Sequence, residues 1–241
     1  MPVKPQKAMV LAAGLGLRMR PLTDTMPKPL VPVAGKPLLD HVLERLADAG
    51  VTEAVVNVHY LPDQIIAHTA TRAHPRVIIS DERDQVLGTG GGVVKALPLL
   101  GSAPFFHVNS DTMWIEGVRS NLVRLADAFD PERMDILLLM APTASSIGYS
   151  GQGDYSMLAD GTLRRRREHQ VVPFVYAGAA IISPDIFDGA PQGEFSLVRM
   201  FDKANEQDRL YGLRLDGVWM HVGTPDAVTA AEEALLESAA Y

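Results

Sequence analysis

The stretch "VLAAGLGLRMRPLTDTMPKPLVPVAGKP", Val10 to Pro37, follows an apolar run and holds three glycines, five prolines and four basic residues. An apolar strand that opens into a glycine-rich turn is the usual entry to a ligand loop in an open α/β sheet. Two well-known phosphate loops fail here. The dinucleotide fingerprint needs G-x-G-x-x-G, and Gly14-Leu15-Gly16-Leu17-Arg18-Met19 lacks the third glycine, which disfavours a dehydrogenase. The string G-x-x-x-x-G-K-S/T occurs nowhere in the chain. What remains is physical. Gly14 and Gly16 let backbone N–H groups face an anion, and Arg18 and Lys28 add positive charge. Pro21, Pro27, Pro29 and Pro32 restrict the loop, so Lys28 has little conformational freedom to lose on binding. The loop reads as a phosphate site on a stiffened support.

Outward from this loop, apolar runs alternate with helical patterns, as in a mostly parallel sheet covered by helices. The expected strands are Ala8–Ala12, Ala54–Val58, Val77–Ser80, Phe105–Val108 and Ile136–Met140. Leu39, Val42, Leu43 and Leu46 give Leu38–Ala49 a helical period that stops at Gly50. Pro62–Thr71, Val93–Leu97 and Val118–Phe129 are the other crossover helices. Beyond Pro142 the rhythm changes. A hairpin is expected around Asp160-Gly161, then a strand at Phe174–Ser183 and a helix at Leu197–Asn205. Leu210–Leu215 and Val218–Val222 flank a second Asp-Gly turn, and Thr224-Pro225-Asp226 starts a last helix running to about Ser238. The expected fold is a three-layer α/β domain with a Rossmann-like sheet. Residues 1–140 would form the α/β core, about 141–222 a small mixed lobe with return strands, and 225–238 the last helix.

The 241 residues are 47% apolar, enough for a sizeable core. A formal charge of −7 argues against nucleic acid as a partner, so phosphate chemistry should sit in a local basic pocket. The absence of cysteine excludes disulfides and thiolate nucleophiles. The N-terminus lacks a signal peptide's shape, and no apolar run approaches the ~18 residues of a membrane span. A cytoplasmic protein without a membrane partner is the expectation, and the sequence leaves self-association open.

Four motifs then converge. The spacing L-A-A-G-x-G-x-R followed by P-K-P-L-x-P-V-x-G-K-P resembles the signature of the sugar-1-phosphate nucleotidyltransferases. That resemblance implies a nucleotide phosphate cradle at Leu11, Ala12, Ala13, Gly14 and Gly16. It also implies that Arg18 stabilises the α-phosphate and leaving pyrophosphate, and that Lys28 meets the sugar phosphate. Leu87-Gly88-Thr89-Gly90-Gly91-Gly92-Val93 is similar to the family's base-recognition loop. Thr89, Gly90 and Gly91 would approach the base through backbone, and Asn109 completes the nucleotide contacts. In Phe105–Asp111 an apolar strand ends in Asp111, the match to the family's metal-binding aspartate. Trp219-Met220-His221-Val222-Gly223-Thr224 resembles W-x-D-x-G-T, with His221 at the second metal ligand. Magnesium is the implied cofactor, and His221 admits manganese because imidazole suits softer divalent ions.

Gly151–Tyr155 and Val175–Gly178 fall where the family holds its sugar, which points to Asp154, Tyr176 and Gly178 beside Lys28. Together with Gly193-Glu194-Phe195-Ser196-Leu197, these residues look most like the branch acting on N-acetylmuramic acid 1-phosphate with UTP in cell-wall recycling. The sequence departs from the family pattern at Leu17, Ser110 and His221, and from that branch at Gly88. The run Arg164–Arg167 reads as a solvated hairpin flank, with alternate arginines facing opposite ways. One of the four is within reach of a substrate carboxylate or phosphate, and none is assigned to the site. The implied partners are a nucleoside triphosphate and a sugar 1-phosphate. The alternatives are a GTP-dependent guanylyltransferase acting on mannose or heptose 1-phosphate, and a catalytically weak nucleotide-sugar binding protein.

Overall fold

In the computed structural model, which describes residues 4–239, the first apolar run is strand β1 (Lys7–Leu11) at the centre of a nine-stranded sheet. Ala8 and Val10 enter the core on one face and Met9 on the other, as a strand covered on both sides requires. The proline-rich loop closes with two short paired strands, β2 (Pro32–Val33) and β3 (Lys36–Pro37), and enters helix α1 (Leu38–Asp48). Next come β4 (Glu53–Val58), α2 (Pro62–Thr69), β5 (Arg76–Asp81), α3 (Gly88–Leu100) and β6 (Phe105–Asn109). Strand β7 (Thr112–Glu116), helix α4 (Asn121–Ala128) and strand β8 (Ile136–Pro142) follow. The remaining elements are β9 (Tyr155–Met157), β10 (Leu163–Arg165), β11 (Phe174–Ile182), α5 (Val198–Glu206), β12 (Leu210–Arg214), β13 (Gly217–His221) and α6 (Pro225–Ala239).

Strands β5, β4, β1 and β6 pair parallel, β11 pairs antiparallel with β6 and β8, and β12 pairs parallel with β8. Only β11 therefore runs against the direction of this main path. The antiparallel hairpin β9–β10 extends the corner beside Phe174. Helices α1, α2 and α4 cover one face through Leu39, Val42, Leu43, Ile65, Leu122 and Leu125. Helices α3 and α5 cover the other through Val93, Ala96, Met200 and Phe201, which makes the three layers. A third cluster anchors the first loop, with Met19, Val31 and Val33 packed against Met113, Met220 and Ala231 of α6.

Three sequence expectations change. Helix α3 begins at Gly88 rather than Val93, because its glycines are buried against a partner segment described below. Helix α4 begins at Asn121, capped by the Ser120 hydroxyl, and the preceding Thr112–Glu116 is a strand that the apolar pattern did not reveal. Strands β12 and β13, on either side of Asp216-Gly217, do not pair with each other. β12 lies in the main sheet, and β13 pairs antiparallel with β7 in a separate ribbon. Among the described residues no helix is long and apolar enough to cross a membrane.

Candidate active site

The loop after β1 folds as three short turns, Leu17–Met19, Leu22–Asp24 and Lys28–Leu30. Gly16 makes the first reversal at φ +66°, where a Cβ would lie 3.0 Å from Thr23 Cγ2 and 3.2 Å from Lys28 Cβ. Its carbonyl accepts the Thr23 hydroxyl at 2.8 Å. The loop is thereby drawn over itself, and Lys28 points inward. Lys28 Nζ donates to Asp111 Oδ2 at 2.5 Å, with the lysine side chain 13% exposed.

Asp111 sits at the turn between β6 and β7, held by Ser110 N–H donating to the Leu11 carbonyl. Thr112, the next residue, accepts from Trp219 Nε1 and donates to the Ala177 carbonyl. In the β7–β13 register it stands opposite His221. His221 is half-buried and folds over Gly223, where a Cβ would come 2.6 Å from Nε2. Burial lowers the His221 pKa; the Asp111 charge opposes this, while Lys28 and Arg18 reinforce it. Four residues spread from 18 to 221 thus share one electrostatic neighbourhood. Arg18 itself is solvent-exposed on the loop.

Beside this cluster lies a cavity of about 280 Å³. Of the residues expected from sequence, Leu11, Ala12, Ala13, Gly14, Lys28, Thr89, Asn109 and Asp111 line it. Gly16, Arg18 and His221 lie outside its wall, on the loop and on β13. Gly90 and Gly91 do not face it, because they pack behind it against residues 193–197. A Cβ on Gly90 would fall 2.3 Å from Phe195 Cε2, and one on Gly91 2.2 Å from the Gly193 carbonyl oxygen. Gly90 N–H donates to Phe195 O, Phe195 N–H to Leu87 O, and Leu197 N–H to Thr89 Oγ1. Their backbone is spent on holding a neighbouring segment.

Among the lining residues missed from sequence are the polar side chains Asn57, His59 and Glu82. Asn57 Oδ1 accepts Ala12 N–H at 2.7 Å, and its amide donates to Glu82 Oε1 at 2.9 Å. Asn57 and Glu82 are each 2% exposed. Burial raises the Glu82 pKa, and the Asn57 hydrogen bond opposes that rise. A Cβ on Gly92 would clash with both groups, which explains the third glycine of the run. The available signal was a polar residue at the carboxyl end of each of two apolar strands. The adjacency of β4 and β5 gives that signal its meaning.

Asp154 and Tyr176 lie elsewhere, in a second cavity of about 410 Å³ among the hairpin, β11 and α5. Asp154 Oδ2 accepts Tyr176 N–H at 2.9 Å. The Tyr176 hydroxyl shares a 3.0 Å hydrogen bond with His107 Nδ1, and its ring meets Phe201 edge-on. His107 is 1% exposed, its Nε2 is buried without a partner among the described residues, and burial lowers its pKa to about 4. Gly178 lines neither cavity and lies on β11 between Tyr176 of the second and Asn109 of the first. It sits at φ +81° within a register shift of β11, where a Cβ would lie 3.2 Å from Asn109 Nδ2. Only a residue without a side chain brings β11 this close to the first cavity.

With this geometry in hand, comparison with known proteins is informative. The profile of the nucleotidyl transferase family matches residues 7–149. The chain is 48% identical over 238 residues to the N-acetylmuramate alpha-1-phosphate uridylyltransferase of Caulobacter vibrioides, covering 97% of this chain and 98% of that one. It is 36% identical over 221 residues to the enzyme of the same name from Neisseria meningitidis, covering 90% and 93%. In fold it resembles a UDP-glucose pyrophosphorylase solved with UDP-glucose, with a TM-score of 0.81 at 17% identity over 97% of this chain and 99% of that one.

Proposed function

The chain belongs to the nucleotidyl transferase family, and on that premise we propose that it transfers the uridylyl group of UTP to N-acetylmuramic acid 1-phosphate. The products are pyrophosphate and a UDP-sugar. The wider reaction class, nucleotidyl transfer to a sugar 1-phosphate, is that of its relatives. The observation that carries the reading is the meeting of Lys28, Asp111, Arg18 and His221 at one end of a cavity edged by the glycine loop. Kinship with two uridylyltransferases extends the reading to the substrate.

A phosphate oxygen of the sugar 1-phosphate attacks the α-phosphorus, and the bond to pyrophosphate breaks in line. No enzyme nucleophile is required, so the protein's work is positioning and charge neutralisation. The backbone of Leu11 to Gly14, with Gly16, cradles the triphosphate. Arg18 neutralises charge on the α-phosphate and departing pyrophosphate. Lys28, already ordered by Asp111, receives the sugar phosphate, while Asn109 and Thr89 border the nucleoside and Gly178 the sugar. Asp154 and Tyr176 form the far side of the sugar site. We assign residues 1–140 to nucleotide binding and about 141–222 to the sugar lobe and return strands.

Nucleotidyltransferases of this family generally use a divalent metal. Asp111 and His221 would hold it, and they fit such an ion. They supply one carboxylate and one imidazole kept neutral by burial, a set that leaves further positions to substrate phosphates. Bound there, the ion would neutralise phosphate charge. Magnesium suits the carboxylate, and manganese tolerates the imidazole better.

Glu82 adds an argument about the base. Its Oε1 is taken by Asn57, while Oε2 has no protein hydrogen bond among the described residues. An ionised carboxylate only accepts. It can accept from a donor on the base edge, the ring N–H of uracil or guanine or the exocyclic amine of adenine or cytosine.

The test is pyrophosphate release with four nucleoside triphosphates crossed against several sugar 1-phosphates, in magnesium and in manganese. UTP with N-acetylmuramic acid 1-phosphate is expected to give the highest kcat/KM. Preference for GTP with mannose or heptose 1-phosphate would overturn the substrate assignment. No release from any pair would favour a binding protein.

A further inference from the structure

The arginine run is not the uniform solvated flank that its composition suggests. Arg164 pairs with Asp208 at 2.8 Å, and Arg165 forms an ion pair with Asp202. Arg166 is half-buried and lines the second cavity beside Arg165, whose charge Asp202 meets. Its Nε donates to the Gly153 carbonyl at 2.9 Å, and its Nη1 to Gln152 Oε1 at 3.2 Å, with longer contacts to the Arg167 and Gln170 carbonyls. Every one of these acceptors is neutral. Among the described residues no carboxylate lies within ion-pair distance of Arg166, and Nη2 makes no hydrogen bond. The guanidinium is thus fixed in place and left without a counter-charge.

Two acids share the cavity wall. Asp154 is engaged by Tyr176 N–H, and Glu168 is exposed at the rim. The other walls are the rings of Tyr155, Tyr176 and Phe201. A guanidinium held by neutral oxygens through Nε and Nη1, with Nη2 open in a cavity that aromatic rings also line, suits a charge-assisted hydrogen bond from Nη2 to a carboxylate. The two cavities are neighbours through residues 197–198: Leu197 N–H bonds Thr89 of the first cavity's lining, and Val198 lines the second. Gly178 provides the other seam, against Asn109.

N-acetylmuramic acid differs from N-acetylglucosamine by a lactyl ether that ends in a carboxylate. We propose that Arg166 is a specificity-determining residue that binds this carboxylate in the second cavity while the sugar phosphate lies at Lys28 in the first. The assignment rests on the uridylyltransferase reading given above.

The test compares N-acetylmuramic acid 1-phosphate with its lactyl amide, which keeps the shape and loses the charge. Wild-type protein favours the acid in kcat/KM by roughly 10-fold or more, the scale of a hydrogen bond to a charged group. Arg166→Gln abolishes that preference by lowering kcat/KM for the acid alone, and Arg164→Gln retains it. Should the glutamine variant fail to fold, Arg166→Lys carries the test. It keeps the charge but lacks the fork, and the preference narrows without vanishing. Equal turnover of acid and amide by wild type overturns the carboxylate site and leaves the reaction standing. An equal loss on both sugars in Arg166→Gln also overturns it, and points to the phosphate instead. Wild type that turns over neither sugar overturns the uridylyltransferase reading and the proposal together.

Discussion

The two cavities adjoin along β11 but are made of different material. The first is lined by the glycine loop after β1, by residues at the carboxyl ends of β4, β5 and β6, and by the start of α3. The second is built from side chains on three separate elements: a hairpin, a strand and a helix. Under the proposed function the first cavity would hold the phosphates, which the substrates share, and the second the sugar, which distinguishes them. The first cavity is therefore the place to look for rate and the second for selectivity.

The sharpest way to break that division is to remove charge from the first cavity's cluster. Asp111→Ala and Arg18→Ala should each lower kcat by roughly 10²-fold or more, the scale of lost transition-state charge stabilisation. Steady-state kinetics with saturating substrates checks this, and near-normal kcat in both variants would move the chemistry elsewhere. The Gly91→Ala variant tests the seam between the cavities. Its methyl has no room beside the Gly193 carbonyl, so overpacking should cost about 1–3 kcal/mol in urea unfolding. It should also loosen the 193–197 segment, seen as faster amide exchange at Phe195 and Leu197. Unchanged stability would mean that the segment is not held by the glycine run.

A smaller effect belongs to the support of the second cavity. His107 has its pKa lowered to about 4 by burial, whereas an unfolded histidine titrates near 6.5. Between those values only the unfolded chain takes up the proton. Its contribution is therefore fully present above about pH 6.5 and is lost as pH falls toward 4. From pH 7 to pH 5 the loss attributable to this residue is roughly 2 kcal/mol. His107→Gln should flatten the acid limb of stability against pH, measured by chemical denaturation at each pH. An unaltered limb would assign it to other groups.

How much of this could be read from sequence follows the same division. The loop from Val10 to Pro37 is contiguous, so the proposal of a phosphate site at its glycines, Arg18 and Lys28 needs no tertiary knowledge. Asp111 and His221 were legible because each ends an apolar strand within a recognisable string. Gly88–Gly92 misled in part. Low helix propensity suggested a loop, but burial against Phe195 and against Asn57 with Glu82 requires the missing side chains and lets the helix form. Asn57 and Glu82 gain their meaning only from the pairing of β4 with β5 and β1. Thr112–Glu116 escaped because its partner strand lies about a hundred residues later, at Gly217–His221. Within the arginine run, inward and outward positions could be expected from strand alternation. Which arginines meet an acid depends on Asp202 and Asp208, both from a later segment, which take Arg165 and Arg164.

The central claim is that this chain joins a uridylyl group to N-acetylmuramic acid 1-phosphate. Phosphorus NMR of purified protein with UTP, N-acetylmuramic acid 1-phosphate and magnesium follows every phosphate at once. The account predicts equal amounts of pyrophosphate and a new UDP-sugar diphosphate signal, with consumption of both substrates, and little of either product from Asp111→Ala. UTP hydrolysis without a UDP-sugar, or unchanged spectra from wild type, would contradict it.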